Sequence, residues 1–404
     1  MPQLLSSAKL RQLQKHNTYI AFFGAGYITD KTITKSQVRP QCIVDNNTDI
    51  QSTFQDLIPI VSLADVPNHA VYVITSTSIA EIERQLHDHG VLPENIHVSP
   101  VLSDHYQISI FENQYFDLLF TSGLQNRSQD TSIEGGGLYR LSGYFDDFKL
   151  SKVLSSPSHG IKKLGDYLYI VNEDVGVAKL DINLNIVDTF ALPKGIRPHG
   201  IDYCQETDNW VFACSYGDCL SIHNKSFEEV DRVYFSNKRT YFQNKPQHHT
   251  NDVCVNGRLA FCSMFSLSGE FKRGVYDGGV LIIDIVERKV IGSMFGDLSH
   301  PHNIQFHDSE YWVLDSYTQR VIKGSTVYSS GYSSFLRGLD FLSDGSLLLG
   351  QSKNRNFSTI KNSSTSPSFL DTSIVVLSPD QLIAKTLPLP SSISEIHAIL
   401  SLTN

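Results

Sequence analysis

The sequence predicts two folds in tandem: an α/β Rossmann-like N-terminal domain, then an all-β six-bladed propeller closed by its own C-terminal strand. Three observations predict them. An apolar run over residues 19–23 ends in Gly24-Ala25-Gly26 and opens an alternation of strand and helix patterns that lasts to about residue 100. A short segment, a polar residue before an apolar run, then recurs six times at a mean spacing of about 48 residues. Finally, a lone strand pattern around His397-Ala398-Ile399-Leu400 ends the chain, while the run that starts the second region lacks a strand before it.

Residues 3–15 set Leu4, Leu5, Leu10 and Leu13 among polar residues, the pattern of a short amphipathic helix. Strand patterns at 41–44, 58–61, 70–74 and 95–98, with a helix pattern over 78–89, predict a mostly parallel sheet covered on both faces. The glycine turn puts backbone N–H groups at a helix start, where a phosphate can sit. Asp45 ends the second strand 21 residues after Gly24, close to the place of an acid that binds ribose hydroxyls, and Thr29 stands where the third glycine of the fingerprint belongs. On Phe23-Gly24-Ala25-Gly26 and Val44-Asp45-Asn46-Asn47, this region resembles the small Rossmann-like domain of bacterial sugar-nucleotide and surface-polysaccharide enzymes. The resemblance implies a nucleotide or NAD(P) site at Gly24, Gly26 and Asp45, with Thr75 and Ser76 beside it, or else a scaffold without a ligand. The expected domains are 1–102, a linker over 103–115, and the propeller over 116–404.

Composition narrows the function. Hydrophobic residues at 41% and charged residues at 19% describe an ordinary soluble globular protein. A net charge of −9 argues against a sequence-independent nucleic-acid binder, which needs a basic surface. The basic clusters Lys238-Arg239 with Lys245, and Lys353 with Arg355, read as solvated loop charges. No apolar run reaches the roughly 18 residues of a membrane helix, and the residues after Met1 lack a signal-peptide pattern, so a cytoplasmic protein is expected. The six cysteines show no Cys-x-x-Cys spacing and are expected as free thiols.

From residue 116 onward the chain reads as four-strand units. Units two to six begin at Ser158-His159-Gly160, Arg197-Pro198-His199-Gly200, His249-Thr250-Asn251, Pro301-His302-Asn303 and Arg337-Gly338-Leu339. The leftover strand at His397 and the strand patterns over 117–154 complement one another. Their union as one composite blade predicts ring closure, which hides sheet edges. A sandwich fits short strands too, but not a leftover at each end.

The innermost strand of each blade lines the axis, so His159, His199, His249, His302, Arg337 and His397 are expected to form a ring. Glu173, Asp174, Asp315 and Lys353 are expected within range, with Asn251, Asn303 and Glu395 flanking the ring. Neutral imidazoles on rigid strands suit a divalent metal (Zn, Fe or Mn), with His199, His249, His302 and His397 as ligands and a carboxylate fixing a tautomer. Without metal, a histidine base beside Arg337 and Lys353 suits proton abstraction from an anion. The bland alternative is that each imidazole only caps backbone groups of the next blade. Three long loops, 236–247, 266–278 and 353–371, are expected over the ring, with Tyr241, Phe242, Phe271 and Tyr276 as stacking groups.

These segments resemble the His-Gly-Ile and Pro-His-Gly motifs of six-bladed propellers such as virginiamycin B lyase, gluconolactonase-like proteins and the amidating lyase, of which the last implies an axial metal. Pro301-His302 with Trp312-Val313-Leu314-Asp315-Ser316, and Arg337-Gly338-Leu339 with Gly350-Gln351-Ser352-Lys353, more closely resemble an uncharacterised bacterial propeller family. That likeness implies the fold and no reaction. The expected function is an axial-histidine enzyme of lyase, isomerase or hydrolase type, acting on a polar, carbohydrate-derived or anionic small molecule. Its setting would be surface-polysaccharide or sugar-nucleotide metabolism. A glycan- or protein-binding propeller and an NAD-dependent oxidoreductase are the alternatives.

Overall fold

Strands that are apolar on both faces organise the first unit. The computed structural model describes residues 2–123, 135–238, 245–353 and 372–403. The chain folds as two compact units, Met1–Gln114 and Tyr115–Asn404. In the first unit Ile20–Phe23 pairs in parallel with Cys42–Val44 on one side and Val71–Ile74 on the other. Alternate residues serve opposite layers: Phe23, Val44 and Ile74 pack with Ile79 and Leu86, while Phe22, Ile43 and Val73 pack with Leu10. The sheet has seven strands and is mixed, because Phe54–Gln55 pairs antiparallel with Ile58–Val61. The Rossmann-like expectation therefore reduces to a mixed α/β sheet. Gln3–Leu4 is an edge strand paired with His97 and Val98, which shortens the first helix to Ser7–Lys15. Within 103–115, expected as a linker, lies the helix Ser103–Glu112.

The glycine turn exists, with Gly24 and Gly26 at φ +114° and +133°, but its amides are already used. Ala25 N–H donates to Asp45 Oδ2 at 2.7 Å and Gly26 N–H donates to Gln55 Oε1 at 2.8 Å. The other Asp45 oxygen accepts from Asn47 N–H. Internal carboxylate and amide oxygens thus fill the place where a phosphate would accept hydrogen bonds, and Asp45 is committed to the backbone. Thr75 is likewise bonded to the Phe23 and Gly24 carbonyls. The nucleotide or NAD(P) expectation at Gly24, Gly26 and Asp45 is not supported. The oxidoreductase alternative loses its basis with it.

The second unit consists of six four-stranded antiparallel sheets. Their inner strands are Ile399–Ser401 in blade one, then Ser158–Leu164, Pro198–Cys204, Thr250–Asn256, Pro301–His307 and Phe335–Phe341 in blades two to six. Blade one is composite: Ile399, Leu400 and Ser401 pair with Phe120, Leu119 and Leu118, and strands Gly137–Tyr144 and Asp147–Leu154 complete the sheet. Thr121 fastens the closure. Its N–H donates to the Ala398 carbonyl and its hydroxyl accepts from Ala398 N–H, both at 3.0 Å.

Cores lie between blades. Val211, Leu220 and Ile222 of blade three pack with Ala260, Cys262 and Ile283 of blade four. Full burial of side chains of this size stabilises by about 1.5–3 kcal/mol each. All six cysteines are free, and five are buried. Among the described residues no helix is long and apolar enough to cross a membrane. Tyr241, Phe242, Arg239, Arg355 and most of the 353–371 loop lie outside the described residues.

Candidate functional site at the propeller axis

The repeated segments become a site through a slip in strand register. In five blades the pairing of the inner strand shifts, passing over His159-Gly160, His199, Asn251, Asn303-Ile304 and Arg337-Gly338, so that in blades four and five the slip falls on an asparagine and His302 stays paired with Leu314. A bulge frees a residue from the ladder and re-aims its side chain. The glycine after the histidine serves the neighbouring blade. A Cβ on Gly160 would lie 2.9 Å from the His199 carbonyl oxygen, and one on Gly200 would lie 2.6 Å from Val253 N. The His-Gly pair is therefore an axial side chain followed by a gap that admits the next inner strand.

The structure gathers most of the expected ring. The rings of His159 and His199 stack with centroids 4.7 Å apart, and His159 and His397 meet edge-on at 4.5 Å. A line of polar contacts runs through them. Glu173 Oε1 lies 3.2 Å from His159 Nε2, His159 Nδ1 lies 3.4 Å from His397 Nδ1, and His397 Nε2 lies 3.1 Å from Glu395 Oε2. Arg337 then donates from Nη1 to Glu395 Oε2 at 2.8 Å and from Nε to His302 Nε2 at 2.9 Å. The far ring nitrogen of His302 faces the His300 carbonyl and the Ser316 hydroxyl, both at 2.9 Å. His302 is thus neutral, with its proton on Nδ1.

The chain's own backbone braces this line. The Thr121 hydroxyl donates to the His159 carbonyl while His397 N–H donates to the Thr121 carbonyl. Asn303 donates from Nδ2 to the His397 carbonyl at 3.0 Å and accepts from Gly338 N–H at 2.7 Å. Sequence reasoning missed Thr121 and had Asn303 only as a residue flanking the ring.

Other expected members stand elsewhere. Asn251 holds the bulge position in blade four. His249, at φ +54°, lies on Phe265 and Phe271 with centroids 4.4 and 4.7 Å away, and its ring is 6.4 Å from that of His199. Asp315, fully buried, pairs with Arg320 and accepts from Ser299 N–H, so its role is to hold the turn into the inner strand. Lys353 Nζ donates to the Ser391 carbonyl. Tyr276 stacks on His300 at 4.3 Å, so one side of the face is aromatic and the other polar.

Burial and the two arginines govern the charges. Burial holds His199 and His302 well below the ordinary imidazole range, and it lowers His159 against the opposing pull of Glu173. Burial, then Arg337, pushes His249 down to about 3. Burial and nearby Arg197 bring Arg337 down to about 10, still protonated at neutral pH. His159, His199, His249 and His302 are neutral imidazoles around a buried cation. Among the buried polar atoms that have no hydrogen-bond partner within the described residues are His199 Nε2 and Asn251 Oδ1. They mark where a water or ligand group completes the ring.

The expected metal ligands do not converge. Both nitrogens of His302 are engaged, one of them by a guanidinium, and His199 and His249 are separated as above. Among the described residues no group of three or more His, Cys, Asp or Glu side chains is arranged to hold a metal ion. The donor set at the axis suits an anion beside Arg337 better than a cation.

Beside the ring a cleft of ≈ 500 Å³ opens, lined by His159, Glu173, Asp174, Lys194, Arg197 and Tyr216 among others. Glu173 links it to the axis, because its side chain is 30% exposed there while the His159 side chain is 3% exposed.

The chain matches no family model, and no curated protein matches it. Solved structures similar to it include a protein of unknown function from Bacteroides caccae, 12% identical over 72% of this chain and 100% of that one, with a TM-score of 0.49. A protein provisionally named a gluconolactonase is 12% identical over 58% of this chain and 78% of its own, with a TM-score of 0.41. The calcium-binding protein regucalcin from Agrobacterium tumefaciens is 12% identical over 56% and 73%, with a TM-score of 0.40. The six-bladed propeller is established by the chain's own strand pairing.

Proposed function

We propose that the second unit is an enzyme that moves a proton on an anionic small molecule, by lyase or isomerase chemistry, with Glu173 and His159 as its base. The observation that carries this reading is the run of close polar approaches, each 3.4 Å or less, from the cleft-facing Glu173 through His159, His397 and Glu395 to Arg337. In the tautomer where His159 Nε2–H donates to Glu173 and His397 carries its proton on Nε2, at ion-pair distance from Glu395, the two Nδ1 lone pairs of His159 and His397 face each other. That arrangement has room for one further proton. The lowered proton affinity of His159 keeps the place vacant at neutral pH.

A carbon next to a carboxylate becomes acidic when the charge that develops on the carboxylate oxygens is stabilised. Arg337 and Arg197 supply fixed positive charge in a site from which water is largely excluded. Glu173, hydrogen-bonded to His159, is the group exposed enough to take the proton.

The reading is tested by incubating the protein in D₂O with a panel of sugar acids and simple carboxylates and following loss of the proton α to the carboxylate by NMR. Wild type is expected to catalyse exchange on at least one, and Glu173→Gln and His159→Gln to slow it about 10²-fold or more. Absence of exchange across the panel, or equal exchange in correctly folded variants, overturns it.

A further inference from the structure

The cleft carries charges of both signs on separate segments. The turn after the second strand of blade two supplies Glu173 and Asp174, and the connection from blade two to blade three supplies Lys194 and Arg197. Arg197 is held in a strained pose. Its φ is +44°, a region that costs a non-glycine residue about 1 kcal/mol or more. Its Nη1 donates to Tyr216 Oη at 2.9 Å, its guanidinium lies 4.9 Å over the Tyr216 ring, and its Nη2 lies 3.6 Å from Glu173 Oε1. Its Nε is buried without a partner among the described residues. Tyr216 is 44% exposed at the cleft. Strain that persists in an arginine fixed at both ends of its guanidinium is characteristic of a binding residue set in place before its ligand arrives.

A ligand that fits must satisfy both segments. A simple aliphatic carboxylate answers Lys194 and Arg197 but leaves Glu173 and Asp174 facing apolar surface. An uncharged sugar gives hydroxyl donors to the two acids and nothing to the cations. We infer that the cleft binds a sugar bearing an anionic group, with Arg197 and Lys194 taking the anion, Asp174 and Tyr216 taking ring hydroxyls, and Glu173 left beside the carbon whose proton it removes. The anion is a carboxylate or a phosphate, since both accept from a guanidinium. This inference rests on the reading of the axis as a site for anions, and it adds Arg197 as the residue that selects them.

Calorimetric titration of the full chain with D-glucuronate, D-glucose 6-phosphate, methyl α-D-glucoside and hexanoate tests it. At least one of the two anionic sugars is expected to bind tenfold or more tighter than both the neutral glucoside and hexanoate, and the better of the two identifies the anion. Arg197→Gln is expected to reduce that affinity to the level of the glucoside. Arg197→Lys is expected to fall between, because it keeps the charge and loses the fork. Hexanoate binding as well as the anionic sugars, no binding of either anionic sugar, or an Arg197→Gln variant with native melting and wild-type affinity each overturns the inference. Proton exchange in the NMR assay with Arg197-independent binding removes this inference alone. Arg197-dependent binding with no exchange removes the catalytic reading and leaves the cleft as a binding site.

Discussion

At the scale of single residues, Arg337 decides the character of the axis. Burial is the larger cause of the lowered proton affinity of His159, His199, His249, His300 and His302, and the Arg337 guanidinium adds to it at all five, so a position that is histidine in most other blades reinforces the ring's neutrality. Its partner Glu395 has a side chain only 1% exposed. Removing one member of a buried ion pair leaves the other charge desolvated, which costs more than the pair contributes. Arg337→Met is therefore expected to lower stability by about 3–5 kcal/mol in urea denaturation. Arg337→Lys should lose less, since it keeps the charge but cannot reach both Glu395 and His302. A loss below about 1 kcal/mol for Arg337→Met would show that the pair adds little and that the ring's charge is set elsewhere.

At the scale of elements, the bulged inner strand is the unit that makes the site, and it explains what the sequence could tell. The six-fold recurrence was legible because each bulge is local: a polar axial residue within a short apolar strand, followed in blades two, three and six by a glycine where the next blade approaches. Closure by the last strand was legible because an edge left at one end matched a gap at the other. Asn251 was read as a flanking residue because His249 is the more obvious ligand type, yet the register slip falls at Asn251. Thr121 and Asn303 act through main-chain contacts across 277 and 94 residues, which no local pattern records. The Gly24 turn failed for the same reason, since Gln55 fills it from 29 residues away. The bulge also yields a test in blade six. A Cβ on Gly350 would lie 1.9 Å from the Arg337 carbonyl oxygen, so Gly350→Ala must displace the strand that carries Arg337. It is expected to cost about 1–3 kcal/mol or more, whereas Gly292→Ala, with nothing within 4 Å, should melt like wild type. Equal melting of the two variants would mean that the bulge yields freely.

At the scale of the whole molecule, the buried imidazoles make the propeller acid-sensitive. The sign follows from proton counts. A histidine held below its unfolded value near 6.5 stays neutral in the folded chain while the unfolded chain takes up a proton, so stability falls as pH drops below about 6.5. His300, held down to about 4, and His249, down to about 3, set the lower end of the window. Asp252 and Asp340 oppose them. Burial raises them to about 7 and about 6, so the folded chain holds their protons where the unfolded chain has lost them, and their contribution grows as pH falls towards 4. His223 and His248 are held down as well and Asp218 is raised, so seven buried imidazoles of the propeller stand against three such carboxylates, and acid destabilisation is the net result. Both tryptophans of the chain, Trp210 and Trp312, are buried in blade strands, so tryptophan fluorescence reports unfolding of the propeller by itself. The melting temperature read this way is expected to fall steadily from pH 7 to pH 4. His249→Phe should flatten the fall by removing one proton uptake from the unfolded state, and Asp252→Asn should steepen it by removing an opposing group. A melting temperature that is constant or rises over this range would mean that the axial histidines are charged in the folded protein, and the vacant proton place between His159 and His397 would already be filled.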